Sequence, residues 1–286
     1  MENRKVERIG IVLSGGFARG ASQLAFTKEI INKIGIDRVK VLSGSSIGSL
    51  NCYAVSCGTI DEMLKYYESL DFDTIQYFKK LVRNRLFFNI FKQIEGKKMM
   101  VPTYVTGCRM FPFDTYYFCL NEMTRNDIRR AIDVSMSFPI INGPKVFKGK
   151  LFIDGGATNN VPTYPMEYFD LDMIIIIHCY PKYFPPQELF DGKKIIVDAD
   201  STLYLDKYVT SFSFSKTDFQ DMIKVGERSG KQFADFIFQD FDYDNVQKRV
   251  HEYITNHLEL RSKKSGDGLM TFVDFTNSLY KLKDES

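Results

Sequence analysis

Residues 39–51, VKVLSGSSIGSLN, set four serines and two glycines directly behind a short β-branched run. Within them Gly44-Ser45-Ser46-Ile47-Gly48 matches the pattern Gly-x-Ser-x-Gly. A serine becomes a nucleophile in such a pattern when a strand enters the turn and a helix leaves it. The strained turn then exposes the central hydroxyl, and the flanking glycines leave room for the backbone. Val39–Leu42 reads as the strand and the apolar run after Ile47 as the helix, which selects Ser46 over Ser43, Ser45 and Ser49. A glycine–serine strand–helix loop without chemistry fits the same residues, and the motif alone leaves both readings open.

Two further glycine-rich turns bear on the choice. LSGGFARGAS, residues 13–22, follows the first strand-like segment. Successive glycines can turn backbone N–H groups outward into an anion nest at a helix start. A dinucleotide loop would need a glycine where Phe17 stands, and a P-loop would need a lysine the stretch lacks. An oxyanion hole needs only two or three aimed N–H donors, and it fits most easily. In FIDGGATNNVP, residues 152–162, Asp154 ends a short apolar strand before Gly155 and Gly156. Alone it reads as a turn aspartate. Together with a serine elbow and a donor loop it completes the parts needed for acyl transfer. Ser46, Asp154 and His178 also stand in the chain order of an α/β-hydrolase triad; a histidine that merely caps a buried strand is the competing reading. His251 and His257 read as surface or interface residues of a C-terminal helix, and no metal-ligand spacing occurs.

The elements that would position these residues alternate in the first half. Arg8–Leu13 and Val39–Leu42 read as strands, and Ala18–Ile34 and Ile47–Ser56 as helices, with Gly35 and Gly58 as stops. Strand, glycine turn, helix, repeated, is the signature of a parallel α/β sheet. Residues 61–98 read as a helical insertion. Strands return at Thr103–Thr106, Thr115–Leu120, Lys150–Ile153 and Lys194–Val197. Thr124 and Asp127 suggest the start of a helix running towards Pro139. Asp172–Ile177 has the unbroken apolar run of a strand buried on both faces. Beyond Ser201 the pattern is mostly helical.

On these residues the sequence resembles the patatin-like phospholipases. The family's Gly-Gly-Gly-x-Arg-Gly loop is matched by Gly15-Gly16-Phe17-Ala18-Arg19-Gly20, its Gly-x-Ser-x-Gly by Gly44 to Gly48, and its Asp-Gly-Gly by Asp154-Gly155-Gly156. Asn160-Val161-Pro162 and the helix AIDVSMSFP (131–139) fit its remaining features. The resemblance implies a three-layer fold with a mostly parallel sheet flanked by helices. It implies a catalytic domain over 6–200, including the insertion at about 61–98, and a helical region at 201–286 that packs on the core or binds a partner. It further implies a lipid acyl hydrolase with Ser46 as nucleophile, Asp154 as general base and the N–H groups of Gly15, Gly16 and Phe17 holding the oxyanion. Arg19, Gly20, Gly44, Gly48, Gly155 and Gly156 would support these motifs, without metal or cofactor. Phe17 departs from the family glycine, and a positive φ there would be strained. A lysophospholipase or transacylase would use the same dyad, and a silent lipid-binding scaffold is the reading from another class.

Bulk properties narrow the setting. A net charge of +2 on 286 residues argues against a general nucleic-acid binder. Cys52, Cys57, Cys108, Cys119 and Cys179 form no paired pattern, which fits a reducing, cytoplasmic setting. The apolar run IGIVL is too short for a signal-peptide core. Residues 77–98 interleave seven Lys and Arg with Phe, Leu and Ile against the single Glu95. Such a segment fits either peripheral contact with a membrane interface that presents the lipid substrate or a cap helix packed on the core. No nucleic-acid partner is implied, and a protein partner leaves no mark.

Overall fold

The computed structural model describes residues 4–72, 91, 92, 94, 98–139, 142–180, 194–206 and 208–264. Among these residues eight strands form one sheet. They are β1 (Ile9–Leu13), β2 (Val39–Gly44), β3 (Thr103–Arg109), β4 (Asp114–Cys119), β5 (Lys145–Phe147), β6 (Lys150–Asp154), β7 (Met173–His178) and β8 (Ile195–Asp200). β3, β2, β1, β7 and β8 run parallel in that order. β4 and β6 are antiparallel to β3, and β5 is antiparallel to β6.

The register of β3 decides where the strand ends meet. Tyr104 faces both Ser43 of β2 and Cys119 of β4, while Gly107 faces both Asp154 of β6 and Tyr116 of β4. A strand has only two hydrogen-bonding edges. β4 therefore takes one edge of β3 along its length, and β2 and β6 share the other, end to end. β2 stops at Gly44 opposite Val105, and β6, arriving from the other direction, stops at Asp154 opposite Gly107. Two C-terminal strand ends face each other across one residue of β3, Thr106.

Six helices accompany the sheet among the described residues: α1 (Gly20–Ile34), α2 (Ile47–Ser56), α3 (Ile60–Ser69), α4 (Arg125–Ser135), α5 (Lys216–Ile237) and α6 (Tyr243–Lys264). Pleating sends alternate β1 residues to opposite faces. Ile9, Ile11 and Leu13 enter the large core under the helices, with Leu24, Leu50, Ile132 and Met222. Val12 enters a smaller core with Val41, Ile174 and Ile176, closed by Val161, Met166 and Leu171. The third layer, among the described residues, is thus a 3-10 helix, Tyr164–Tyr168, and its flanking loops. At Gly10 a Cβ would stand 2.5 Å from Met166 Sδ, so a larger residue there would push this layer off the sheet. At the opposite end of the parallel strands, the buried Asp172 carboxylate accepts the N–H groups of Glu7 (3.1 Å) and Arg8 (3.0 Å), holding β1 beside β7.

Most segments fall where the sequence reads them, with two differences. β5 has three residues, too few for alternation to register. Helix after Ser201 begins only at Lys216, where Ser215 and Asp218 form a reciprocal capping box. Of the basic–aromatic segment 77–98, residues 77–90, 93 and 95–97 lie outside the described residues; Phe91 and Ile94 are buried, and Phe91 stacks on Tyr53 with ring centroids 5.3 Å apart.

α5 lies on α1 through two glycines four residues apart. A Cβ at Gly226 would overlap the backbone carbonyl of Ser22, and one at Gly230 would stand 2.7 Å from that of Phe26. Helix propensity alone would favour Gly226→Ala by about 1 kcal/mol. Overpacking against a backbone carbonyl costs roughly 1–3 kcal/mol and reverses the sign. Gly226→Ala is expected to lower the urea unfolding midpoint without changing the slope; an unchanged or raised midpoint would refute this packing.

Candidate active site

The turn between β2 and α2 holds Ser46 at φ 52° and ψ −126°, outside the regions ordinary residues favour. Its geometry depends on the two motif glycines. A Cβ at Gly44 would stand 2.5 Å from the carbonyl oxygen of Gly48, and one at Gly48 would overlap that of Leu13. The Ser46 N–H donates to Ser135 Oγ on α4 at 3.0 Å. Ser135 Oγ lies 2.6 Å from Ser49 Oγ, and Ser49 Oγ donates to the Gly44 carbonyl at 3.0 Å. Ser43 and Ser45 are fully buried.

Across the β2–β6 junction, Ser46 Oγ donates to Asp154 Oδ2 at 2.8 Å. The other carboxylate oxygen accepts the Gly156 N–H at 2.8 Å, and the Asp154 N–H donates to the Ser137 carbonyl at 2.7 Å. Gly155 sits against Thr106, the residue between the strand ends, where a Cβ would clash. Ser46 is 8% exposed and Asp154 5%. Burial pushes the Asp154 carboxyl up to about 6, against the opposing bonds from Ser46 and Gly156. A carboxylate in this state accepts a proton more readily than a solvated one.

The loop after β1 departs from expectation at its first donor. The Gly15 N–H donates to the Asn160 carbonyl at 3.2 Å, and Asn160 Nδ2 returns a bond to the Gly15 carbonyl at 3.4 Å. Gly15 is therefore clamped to the loop after Asp154, leaving it no free N–H for an oxyanion. The N–H groups of Gly16 and Phe17 donate to no described residue. Phe17 has φ 50°, the left-handed region, at a strain cost of about 1–3 kcal/mol. Its ring packs against Phe138 (5.2 Å) and Phe212 (5.0 Å), which offsets part of that cost.

Arg19 and Gly20 anchor the loop. The Arg19 guanidinium donates to the carbonyls of Cys179 and Val209, both at 3.2 Å, and the Gly20 carbonyl accepts Asn51 Nδ2 at 2.9 Å. Beneath them lies a buried network that sequence reasoning missed. Gln23 Nε2 donates to the carbonyls of Ser14 (3.0 Å) and Ile177 (2.8 Å); Asn51 donates to Gln23 Oε1 (3.1 Å), and Tyr67 to Asn51 Oδ1 (3.1 Å). The available signal was an amide residue on each of two otherwise apolar helix faces. The triad order does not form a triad. His178 Nε2 lies 2.8 Å from Asp198 Oδ1, and its Nδ1 accepts the Tyr180 N–H at 3.2 Å. Both ring nitrogens are occupied away from Ser46.

Within a mixed α/β fold, a serine at a positive-φ elbow is thus hydrogen-bonded to a buried aspartate across the β2–β6 junction. The family model described as patatin-like phospholipase matches residues 11–105. An uncharacterized protein of Acanthamoeba polyphaga mimivirus is 29% identical over 207 residues, covering 60% of this chain and 67% of that protein. A probable lipid hydrolase of Invertebrate iridescent virus 6 is 29% identical over 185 residues, covering 53% of this chain and 61% of that protein. Among solved structures, VipD from Legionella pneumophila superposes with a TM-score of 0.51 at 13% identity, over 97% of this chain and 80% of its own. Human GIVD cytosolic phospholipase A2, in complex with methyl gamma-linolenyl fluorophosphonate, gives 0.52 at 12% identity, over 86% of this chain and 60% of its own. At such identities these are likenesses of fold. The resemblance to the patatin-like phospholipases holds in the sequence of residues 11–105 and in the fold.

Because the folded pKa of Asp154 is raised, its protonated form stabilises the fold below about pH 4. That contribution is lost as the pH rises through about 6. Asn at this position carries no such dependence. Between pH 4 and pH 8 the unfolding free energy of Asp154→Asn should gain roughly 2–3 kcal/mol relative to the parent. Parallel urea titrations at the two pH values check this, and a constant difference would sink it.

Proposed function

We propose that this chain is a lipid acyl hydrolase that works through a Ser46 acyl-enzyme, with Asp154 as its general base. The observation that carries the reading is the 2.8 Å bond from Ser46 Oγ to Asp154 Oδ2 at a strained, dry elbow. The match to a phospholipase family model supports the lipid class, as does a relative named a probable lipid hydrolase.

In the first half-reaction Ser46 Oγ attacks the ester carbonyl while its proton passes to Asp154. The oxyanion of the tetrahedral intermediate is held by the N–H groups of Gly16 and Phe17. Both are set before the substrate arrives, so little reorganisation is needed as charge develops. Collapse breaks the ester C–O bond, and protonated Asp154 returns the proton to the leaving alcohol oxygen. In the second half-reaction a water takes the alcohol's place. Asp154 removes its proton, the hydroxyl attacks the acyl-enzyme, and release of the fatty acid restores the Ser46 hydroxyl with the proton from Asp154. Asp154 serves as base and then acid in each half, which a carboxyl titrating near 6 can do at neutral pH.

Fatty-acid release from mixed neutral and anionic phospholipid vesicles tests this. Ser46→Ala and Asp154→Asn, each with an intact thermal transition, should each lose on the order of 10³-fold in rate or more. Ser46→Ala should also lose covalent labelling by a fluorophosphonate. For the parent, kcat/KM should fall below about pH 6 as Asp154 takes up its proton. Release undiminished in Ser46→Ala would end the proposal.

A further inference from the structure

The β3–β4 connection, Met110–Phe113, carries two phenylalanines that face solvent: Phe111 is 78% exposed and Phe113 64%. Beside it stands the two-residue turn of the β5–β6 hairpin, Lys148-Gly149, tied in by the Met110 N–H, which donates to the Leu151 carbonyl at 2.9 Å. Both turn residues have positive φ, 47° at Lys148 and 73° at Gly149. The first is a position where Asn, Asp or Gly is favoured, yet a lysine occupies it, its side chain 61% exposed. Val146, 62% exposed, adds a third apolar side chain to the same end of the sheet.

The charge here is predominantly positive. From Arg109 to Lys150 the chain has seven Lys and Arg against four Asp and Glu, and residues 142–150 hold three lysines and no carboxylate. Arg109 is paired with Asp114 and Lys145 with Asp133 at 3.3 Å. Lys148 reaches Asp127 only at 3.9 Å, and Lys150 leans over the Tyr116 ring at 5.5 Å. Exposed aromatic tips with lysines set just behind them fit a bilayer interface, where rings enter the headgroup boundary and cations meet anionic lipid.

We propose that these two hairpin tips form a docking surface for anionic phospholipid membranes. The inference rests on the lipid-hydrolase reading for its purpose, but its evidence is separate. Position links the two. β3 runs parallel to β2 and continues past the Ser46–Asp154 junction, so its tip stands beyond the dyad on the side to which the parallel strands point. Five residues separate Thr106 from Phe111, roughly 15 Å at strand rise. A chain seated by its tips holds the dyad about that far behind the lipid surface.

The test reads binding without turnover, on full-length Ser46→Ala protein co-sedimented with vesicles of phosphatidylcholine alone or mixed with phosphatidylserine. The parent should bind the mixed vesicles, less so at high salt. Phe111→Ser with Phe113→Ser should weaken binding at least 10-fold. Lys148→Glu with Lys150→Glu should weaken it by at least about 10-fold on mixed vesicles and little on neutral ones. All four positions are exposed, and unchanged thermal transitions would confirm that the variants fold. A parent that binds neither vesicle, or a Phe111/Phe113 double variant that binds like the parent, would overturn the proposal; in the latter case the tips would be assigned to a protein contact. Binding is measured without the Ser46 hydroxyl, so failure of lipid hydrolysis and failure of docking are read separately.

Discussion

β3 shares one edge between two strands that arrive from opposite directions, and the Ser46–Asp154 contact depends on this constraint. If β2 continued past Gly44, β6 would have no edge to pair with; if β6 continued past Asp154, it would collide with the serine turn. Because each stops one residue short of Thr106, the last residue of β6 and the second residue beyond β2 come within hydrogen-bonding distance. Neither loop has to reach far. The alignment comes from backbone register, which is fixed by many ladder bonds, so it is stiffer than side-chain packing alone would give.

The same junction explains why the site is dry and what that dryness costs. Asp154 is enclosed on three sides, by Ser46, by the Gly156 N–H and, at its backbone, by Ser137 just beyond α4. Burial raises its proton affinity against the opposing bonds from Ser46 and Gly156, so the ionised form is a burden to the fold at neutral pH and would be an asset to proton transfer. Ser46 and Phe17 add backbone strain at two adjacent turns. Such costs persist only where surrounding structure over-determines the conformation. Here that structure is the Gln23–Asn51–Tyr67 network under the glycine loop, the Arg19 bridge to two carbonyls and the Asn160 clamp on Gly15.

Much of this was legible in the sequence because it is local. A strand, two glycines and an apolar helix around Ser46 announce the strand–turn–helix, though not by themselves its chemistry, and the long aliphatic run of β7 states its burial on both faces. The remainder depends on contacts between distant segments. That Gly15 gives its N–H to Asn160 follows from how two loops meet, and no spacing encodes it. Ser135 was within view in AIDVSMSFP, but only the placement of α4 makes it the partner of the Ser46 amide. β5 is too short for periodicity, and the backbone seam between α1 and α5 shows in the sequence as nothing more than Gly226 and Gly230 four residues apart.

The serine row behind the elbow has a direction. Ser49 spends its only hydroxyl proton on the Gly44 carbonyl, so between Ser49 and Ser135 the donor must be Ser135, whose lone pair in turn receives the Ser46 amide. Amide, hydroxyl, hydroxyl and carbonyl form a closed circuit that begins and ends on the elbow itself, with every dipole pointing the same way. No proton in that circuit is left to move. The two hydroxyls behind the elbow have their protons committed there and form an insulator rather than a relay, while the hydrogen bond that Ser46 Oγ itself donates runs the other way, to Asp154 Oδ2.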